Sequence, residues 1–240
     1  MNWLAYCLRP TPCEPAPTQP KPAQQKKPAK IPLEKKVARA FRQVQELSFK
    51  ENPSLHEQAN CIRAERFLKT EEARSIKKLN VSLTTLQPLT EKAIKILVSF
   101  EKLEELTLAN MDGLPLERLP IHLRVLSLTF CNLNDHQSQH FFRFHQLTHL
   151  TLTSNHVGDE TARAVACLRT LEVCDLENNE ITLDGARELI TLPRLRELKL
   201  GCNPFEDSDT TEELIRQGLQ RNIHLRLPLA WLDGKRITRF

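Results

Sequence analysis

Glycine is scarce in this sequence, and its scarcity argues against several classes of enzyme. The 240 residues include 6 glycines, and these do not form the glycine-rich loop that holds a nucleotide phosphate. The 7 cysteines show neither a metal-type CxxC pair nor the spacing of a disulfide-rich module, so we expect most of them to be small buried residues. We therefore expect no cofactor, no metal and no enzymatic activity.

Long apolar runs are also absent. No stretch approaches the roughly 18 to 20 apolar residues that a membrane-spanning helix needs, so integral membrane association is not expected. The apolar start of the chain, residues 1–8, is too short for a signal peptide and has no basic residue before it. We therefore expect a cytoplasmic protein.

The net positive charge is confined to the beginning of the chain. Residues 1–50 carry ten basic and three acidic side chains, whereas the rest of the chain carries 24 basic and 27 acidic ones. A protein that binds nucleic acid normally carries a basic patch on its folded part. Nucleic acid is therefore not expected as a partner.

The first 31 residues differ in composition from the rest. Eight of the 15 prolines lie between Pro10 and Pro32, among lysines and glutamines. Such a segment cannot bury enough apolar surface to offset its chain entropy, so residues 1–31 are predicted to be a disordered Pro/Lys-rich leader. An export, targeting or docking leader and a simple spacer are both consistent with this composition.

Residues 32–75 are predicted to be helical. Ser54 followed by Glu57 forms a capping-box pattern at the start of a second helix. We interpret this segment as an N-terminal cap, because a repeat array exposes its first core layer unless something covers it. The alternative is an F-box-like adaptor segment, since Ile-Pro-Leu-Glu at residues 31–34 opens it. The apolar stripe of the first helix recurs with helical period at Leu33, Val37, Phe41, Val44 and Leu47.

From residue 76 onwards the sequence repeats the pattern L-x-x-L-x-L-x-x-N-x-φ, where φ is apolar. The clearest copies begin at residues 147, 171 and 195, a period of 24. A fourth copy begins at Leu123 and has Cys131 at the asparagine position, a known replacement. Looser copies begin at Leu103, with Met111 at that position, and at Ile76, with Leu86 as its last apolar residue. The asparagines of the clear copies are Asn155, Asn179 and Asn203.

This pattern is that of a leucine-rich repeat. The L-x-L core of each copy is a short strand whose leucines point inward, and the asparagine turns the chain and bonds backbone groups of neighbouring turns. The second halves align as well, with small residues at Ser138, Ala162 and Ala186 followed by apolar pairs, which predicts a helix in each repeat. The fold class is therefore an α/β solenoid of about six repeats over residues 76–240, with parallel strands inside and helices outside. Asp159 and Asp184 lie where helices are expected to begin.

The repeats at residues 147–194 resemble the ribonuclease-inhibitor-like class of leucine-rich repeats, and in particular the GALA-type repeats of secreted bacterial effectors. The resemblance rests on Leu152-x-x-Asn155-x-Val157-Gly158-Asp159 and on Leu176-x-x-Asn179-x-Ile181. Residues 232–238 are similar to the carboxy-terminal caps of several leucine-rich-repeat proteins. The resemblance implies a protein partner and, for an effector, secretion into a host cell cytosol; GALA effectors carry an F-box before their repeats.

Residue patterns that could carry chemistry are weak. His136 and His140 have the i, i+4 spacing of a helical metal pair, but no carboxylate or cysteine accompanies them, so surface histidines are the preferred interpretation. Cys174 beside Asp175 resembles a reactive-cysteine motif, yet it occupies a core leucine position and should be inert.

The outward strand positions are the predicted site. We expect them to form a concave face on which a protein partner binds, although a solvated polar face is the plain alternative. An exposed aromatic and a histidine beside an acidic step would suit a basic or mixed partner. The predicted partner-binding residues are Phe130, His149, Thr151, Asp175, Glu177 and Lys199.

Overall fold

The computed structural model describes residues 31–205, 208–227, 230–232 and 235–237. Apart from Ile31, the leader predicted at residues 1–31 lies outside the described residues. Among the helices of the described part, none combines the length and the apolar composition needed to cross a bilayer.

Seven strands form one parallel sheet in the order in which they occur along the chain. Each connection must therefore return along the other side of the sheet, so that one strand and its connection make one turn of a solenoid. The predicted α/β leucine-rich-repeat solenoid is confirmed. The strands are β1 (Lys78–Pro88), β2 (Glu105–Asp112), β3 (Val125–Thr129), β4 (His149–Thr151), β5 (Val173–Asp175), β6 (Glu197–Lys199) and β7 (His224–Arg226).

The returning segments are of two kinds. Four contain α-helices and two contain 3₁₀ helices, at Leu116–Arg118 and Asp135–Arg143, where the repeat pattern predicted a helix of the usual type. In the second case Phe141, within the helix, and Phe144, just after its end, are buried edge to face with ring centroids 6.4 Å apart. The α-helices are α4 (Glu91–Val98), α5 (Asp159–Val165), α6 (Leu183–Ile190) and α7 (Ser208–Gln220).

The core is built from two inward columns of side chains. Strand pairing sets their register, and burial of each side chain contributes about 1.5–3 kcal/mol. The first column is Leu79, Leu106, Leu126, Leu150, Cys174, Leu198 and Leu225. The second column is Val81, Leu108, Leu128, Leu152, Leu176, Leu200 and Leu227.

Asparagines join the regular repeats to one another, as predicted. The side-chain amide of Asn155 donates to the carbonyl oxygens of Leu128 and Leu152, both at 2.8 Å. Its Oδ1 accepts from the backbone N–H groups of Cys131 at 2.9 Å and Leu133 at 3.1 Å. One buried side chain thus satisfies backbone groups of two repeats, which would otherwise be costly to bury. The same arrangement recurs at Asn179 and Asn203.

A second set of links crosses the repeats at the helix ends. Helix α5 follows Gly158, which has no side chain to cap it. The carboxylate of Asp135, in the preceding repeat, takes this role by accepting from the N–H groups of Gly158 at 2.8 Å and Thr161 at 3.1 Å, and from the Thr161 hydroxyl at 2.7 Å. A Cβ at position 158 would lie 2.8 Å from an Asp135 oxygen, so the glycine makes room for the cap.

Asp159 acts in the same way one repeat later. We expected it to favour its own helix, but its carboxylate also accepts from the N–H of Thr182 at 2.9 Å and from the Thr182 hydroxyl at 2.6 Å. A Cβ at Gly185 would overlap Asp159 Oδ1. Asp184 forms an ion pair with Arg187 in its own helix at 2.9 Å.

Within the described residues, three helices precede β1, namely α1 (Leu33–Leu47), α2 (Leu55–Leu68) and α3 (Glu71–Arg74). The predicted capping box of Ser54 and Glu57 is present at the start of α2. The apolar stripe of α1 is largely buried, and its Gln45 donates to the Pro88 carbonyl at 2.7 Å. These contacts are those that a cap over the first repeat requires; the division at residues 31/32 and 75/76 stays a prediction.

The two ends of the array differ from the sequence expectation. Leu86 is about half exposed, and Leu83 and Leu89 are buried instead, because the pairing of β1 with β2 shifts between Ser82 and Gln87. Strand β7 is a seventh strand that the pattern missed, because it follows a longer interval than the regular repeats and has no asparagine signal. Beyond it, Ala230–Leu232 (β8) and Lys235–Ile237 (β9) pair as an antiparallel hairpin within the predicted carboxy-terminal cap.

Candidate functional site

The outward side chains of β1–β7 form a continuous surface, which we call the strand face. Neighbouring strands lie about 4.8 Å apart, so equivalent residues of successive repeats are adjacent. The row between the two inward columns, the central row, consists of Asn80, Thr107, Ser127, Thr151, Asp175, Lys199 and Arg226.

Three of the predicted site residues are consecutive members of this central row. Thr151 is the register partner of Asp175, and Asp175 is that of Lys199. His149 lies in the adjacent row, exposed, with its Nδ1 2.9 Å from the Thr148 hydroxyl. The structure therefore brings the polar members of the predicted set together across β4–β6.

Phe130 lies just beyond the end of β3. Its backbone is left-handed, with φ of 53°, and its N–H donates to the Thr153 carbonyl at 3.2 Å. The fold imposes this conformation at the same point of other repeats, but a non-glycine residue there costs about 1 kcal/mol or more. Phe130 is 52% exposed, so it offers a large apolar surface that the described residues do not cover. The equivalent left-handed residues are Asn110, Ser154, Asn178 and Cys202.

The middle of the strand face is uncharged. Its outward residues are short, half-buried and mostly hydroxylated, and we call them the neutral patch. Phe130 borders this patch through its bond to Thr153. The neutral patch comprises Thr107, Ala109, Ser127, Thr129, Thr151 and Thr153.

Charge is concentrated at the β5–β7 end, where it is paired internally. Lys199 Nζ lies 3.2 Å from Glu197 Oε1 and 3.5 Å from Asp175 Oδ2, and Asp175 also accepts from the Thr153 hydroxyl at 3.0 Å. Partial burial alone would lower the pKa of Lys199, but the bond to Glu197 and the charge of Asp175 outweigh burial and raise this pKa. Lys199 therefore stays charged and holds both carboxylates.

Glu177 is paired as well. Its Oε1 lies 3.0 Å from Arg226 Nε on β7, and a Cβ at the intervening Gly201 would lie 2.8 Å from the same oxygen. Glycine at position 201 thus leaves space for this contact. The negative charge that was expected at Asp175 and Glu177 is therefore neutralised by Lys199 and Arg226.

The β1–β2 end shows the same internal pairing. Lys77 Nζ lies 2.6 Å from Glu104 Oε1, and Lys78 Nζ lies 2.6 Å from Glu105 Oε1. Both ends of the strand face therefore satisfy their own charges, and the neutral patch between them has no charge to satisfy. Sequence reasoning missed this contrast, although the run of threonines and serines in the outward positions was a visible signal.

Two cysteines of the described part, Cys131 and Cys174, are buried. Burial raises the pKa of the Cys174 thiol well above its ordinary value and raises the pKa of Cys131 to about 11. Both therefore remain protonated, as structural cysteines do.

The histidine pair does not form a helical metal-binding pair. His136 and His140 lie in the 3₁₀ helix Asp135–Arg143, where residues four apart point about 120° away from each other. Within the residues that the structure describes, no three histidine, cysteine, aspartate or glutamate side chains are grouped as metal ligands would be.

A model of the leucine-rich-repeat family matches residues 120–135 and 145–166. These residues include β3 and β4 with the segments that follow them, and the same unit recurs throughout the sheet. The chain thus has the leucine-rich-repeat fold. A search of curated proteins finds no match.

Several solved structures resemble the chain. Internalin C2 of Listeria monocytogenes shares 18% identity, with 80% of this chain and 92% of that one covered and a TM-score of 0.45. The plant peptide hormone receptor RGFR1, solved in complex with RGF2, shares 20% identity over 65% of this chain and 25% of the receptor, with a TM-score of 0.44. The actin-binding site 2 of leiomodin-1 shares 14% identity over 73% and 80%, with a TM-score of 0.34.

Proposed function

We propose that this protein is a non-catalytic interaction module that binds a partner protein on the neutral patch of its strand face. The single observation that carries the proposal is the contrast along that face, since both charged ends are paired internally and the centre presents short side chains beside the half-exposed Phe130. Repeat arrays bind partners on such extended surfaces, and a few aromatic anchors dominate affinity.

Of the six predicted site residues, Phe130, His149 and Thr151 fit direct contact best. Asp175, Glu177 and Lys199 fit an indirect role, because their charges are engaged with one another or with Arg226. A partner that displaced these pairs would have to replace each lost contact. The preferred partner surface is therefore an uncharged one with a pocket for an aromatic ring.

The experiment is affinity capture with three forms of the full-length chain. The parent is compared with Ser127→Arg/Thr151→Arg, which places two long charged side chains on the neutral patch. The matched control is Gln139→Arg/Gln146→Arg, which adds the same charge at exposed positions away from the strand face. For a protein retained by the parent, we expect the first variant to bind at least about tenfold more weakly, or about 1.4 kcal/mol, and the control to bind as the parent does.

Retention that is unchanged by Ser127→Arg/Thr151→Arg, or that is lost equally in the control, contradicts the proposal. Thermal unfolding of all three forms verifies that the substitutions leave the fold intact. Phe130→Ala tests the anchor separately. Alanine keeps the Cβ that makes the left-handed backbone costly, and the phenylalanine is 52% exposed, so we expect weaker binding with little change of stability.

The setting that we propose for this module is a cytosol. If the likeness to GALA-type repeats extends to biology, the protein is a bacterial effector that acts in the cytosol of a host cell. Expression of the full chain in host cells, followed by fractionation, tests this: recovery with membranes or with the culture medium would contradict it.

A second candidate function is an adaptor that recruits a ubiquitin ligase through an F-box-like segment at residues 32–75. The observation in its favour is an apolar stripe on α2 that faces solvent, with Leu55 84% and Ile62 51% exposed. Enrichment of ligase-scaffold subunits by the parent, and their loss in Leu55→Glu/Ile62→Glu, would support the adaptor over the simple binder.

A further inference from the structure

A separate groove of about 960 Å³ lies where strands β5–β7 begin. The turns that lead into β6 and β7 line it, together with the end of α7 and Glu172 ahead of β5. Its size falls in the range of ligand sites in proteins. The residues that line it belong neither to the neutral patch nor to the internally paired central row.

Positive groups dominate this groove. Arg194, Arg196 and Arg221 line it with His224, whereas Glu172 is the carboxylate among the lining residues. Glu172 Oε2 lies 3.7 Å from Arg196 Nη1, a separation that leaves most of the guanidinium without a hydrogen-bond partner. The other two arginines, Arg194 and Arg221, have no neighbouring carboxylate among the lining residues.

Among these three arginines, only Arg221 forms hydrogen bonds with backbone groups of the described residues. The Arg221 guanidinium donates to the carbonyl oxygens of Ile190 and Leu192, the latter at 2.8 Å, and so satisfies the end of α6. Arg194 and Arg196 donate to no carbonyl among the described residues, and the Arg194 side chain has no hydrogen-bond or ion-pair partner there. The side chain of Arg196 is 77% exposed. Helix stability therefore does not account for these two arginines.

The groove also has an apolar wall. Leu195 and Ile223 form buried parts of the lining, and Leu219 at the end of α7 is 52% exposed. Guanidinium groups bind carboxylates in a bidentate geometry, and an apolar side chain on the same ligand would cover Leu219. We propose that this groove binds an acidic peptide segment of a partner protein, one that carries an apolar side chain among its carboxylates.

The test uses a fluorescein-labelled hexapeptide of four glutamates and two leucines, with acetylated and amidated ends, titrated against the full chain in fluorescence anisotropy. A peptide with glutamines in place of the glutamates is the ligand control. We expect saturable binding of the acidic peptide below about 1 mM and binding at least about fivefold weaker for the glutamine peptide.

The protein variant is Arg194→Glu/Arg196→Glu, whose two side chains are exposed and whose replacement should leave the fold intact. Arg42→Glu/Arg163→Glu makes the same change of charge at exposed positions on α1 and α5 and serves as the matched control. We expect the first pair to weaken binding of the acidic peptide at least tenfold and the control pair to weaken it less than twofold. Thermal melting of both variants checks the fold.

Three results would overturn the proposal. They are the absence of saturable binding by the acidic peptide, an equal loss in both pairs of variants, and a glutamine peptide that binds as tightly as the glutamate peptide. A fourth arm uses a single-stranded DNA 12-mer: if it binds more tightly than the acidic peptide and depends on Arg194 and Arg196, the groove is a nucleic-acid site instead. Ser127→Arg/Thr151→Arg should bind the acidic peptide normally, which separates this groove from the proposed strand-face site.

Discussion

The regular repeats around β4–β6 and the irregular ones around β1–β3 reach the same sheet by different means. From Leu126 through Leu150 and Cys174 to Leu198, the inward column advances along the sequence in equal steps. The step from Leu79 to Leu106 is longer than these, and the step from Leu106 to Leu126 is shorter. The regular repeats carry the asparagine links. In the irregular ones, a buried methionine and a buried cysteine, Met111 and Cys131, stand at the asparagine position.

The difference teaches that inward apolar columns can stack parallel strands without a buried asparagine at the pattern position, because β2 pairs with β3 in one register and β1 pairs with β2 in one register as far as Ser82. Asn110, next to Met111, adds a single bond between β1 and β2 by donating to the Leu83 carbonyl at 2.8 Å. Cys131 provides a weaker version of the link, with Sγ donating to the Leu108 carbonyl at 3.7 Å. Met111 fills its buried position without a strong hydrogen-bonding group. The asparagine links accompany a constant repeat length, and the apolar columns tolerate a variable one.

The largest loss of stability is expected from disrupting the inward apolar columns, which both regions share. Leu176→Asp in the regular region and Leu106→Asp in the irregular one each place an unpaired carboxylate in a fully buried column. We expect each to destabilise by more than about 4 kcal/mol, a large part of a typical margin of about 5–15 kcal/mol. Circular dichroism during heating should show loss of cooperative unfolding. Ser127→Asp, on the outward side of β3, is the control, and a near-parental melting temperature for either leucine variant would refute the repeat register.

A smaller loss of stability is expected from substitutions at the asparagine position of the repeat, where the two regions differ. Asn179→Leu keeps a similar volume but leaves the N–H of Val157 without its partner. The carbonyl oxygens of Leu152 and Leu176 each lose one amide donor and keep the other, from Asn155 and Asn203. At about 1–3 kcal/mol for a buried unpaired group, we expect a loss of roughly 2 kcal/mol in urea unfolding. Cys131→Ala should lose about 1 kcal/mol, since it removes a weak donor and a small volume. Equal losses in the two variants would mean that the asparagine link has no special role.

The columns and the asparagines could be predicted because each has a periodic signal in the sequence. Leu150 and Asn155 recur one repeat later as Cys174 and Asn179, and one structural rule explains all of these positions. Strand β7 could not be found in this way, because its interval differs and Asn222 stands where the first leucine of the pattern is expected. Its position depends on the length of α7, which no local pattern specifies.

The charge pairing of the candidate site was beyond sequence reasoning for another reason. Glu177 and Arg226 are distant in the sequence, and their contact depends on two strand steps and on the missing side chain of Gly201. The repeat pattern identifies Glu177 as polar and outward, and Arg226 is a basic residue, but only the pairing of the strands shows that the two neutralise each other. The groove at Arg194 is similar, since its lining comes from three separate turns and a helix end.

The smallest effect is expected at the junction of the two regions, where Asp135 caps α5 from the preceding repeat. Partial burial alone would raise the pKa of Asp135, but the hydrogen bonds from Thr161, Gly158 and Glu160 outweigh burial and lower it below the ordinary value of 3.8. A carboxylate whose pKa is lower in the folded state stabilises the fold above its unfolded pKa, and this contribution is lost as the pH falls through the folded pKa. Asp135→Asn keeps the shape of the cap without the charge, so it should destabilise at pH 7 by about 0.5 kcal/mol after allowing for solvent screening. Urea unfolding from pH 7 to pH 3 should show the parent and the variant converging below pH 4, and a difference that persists at the lowest pH would show that Asp135 acts through its shape and not its charge.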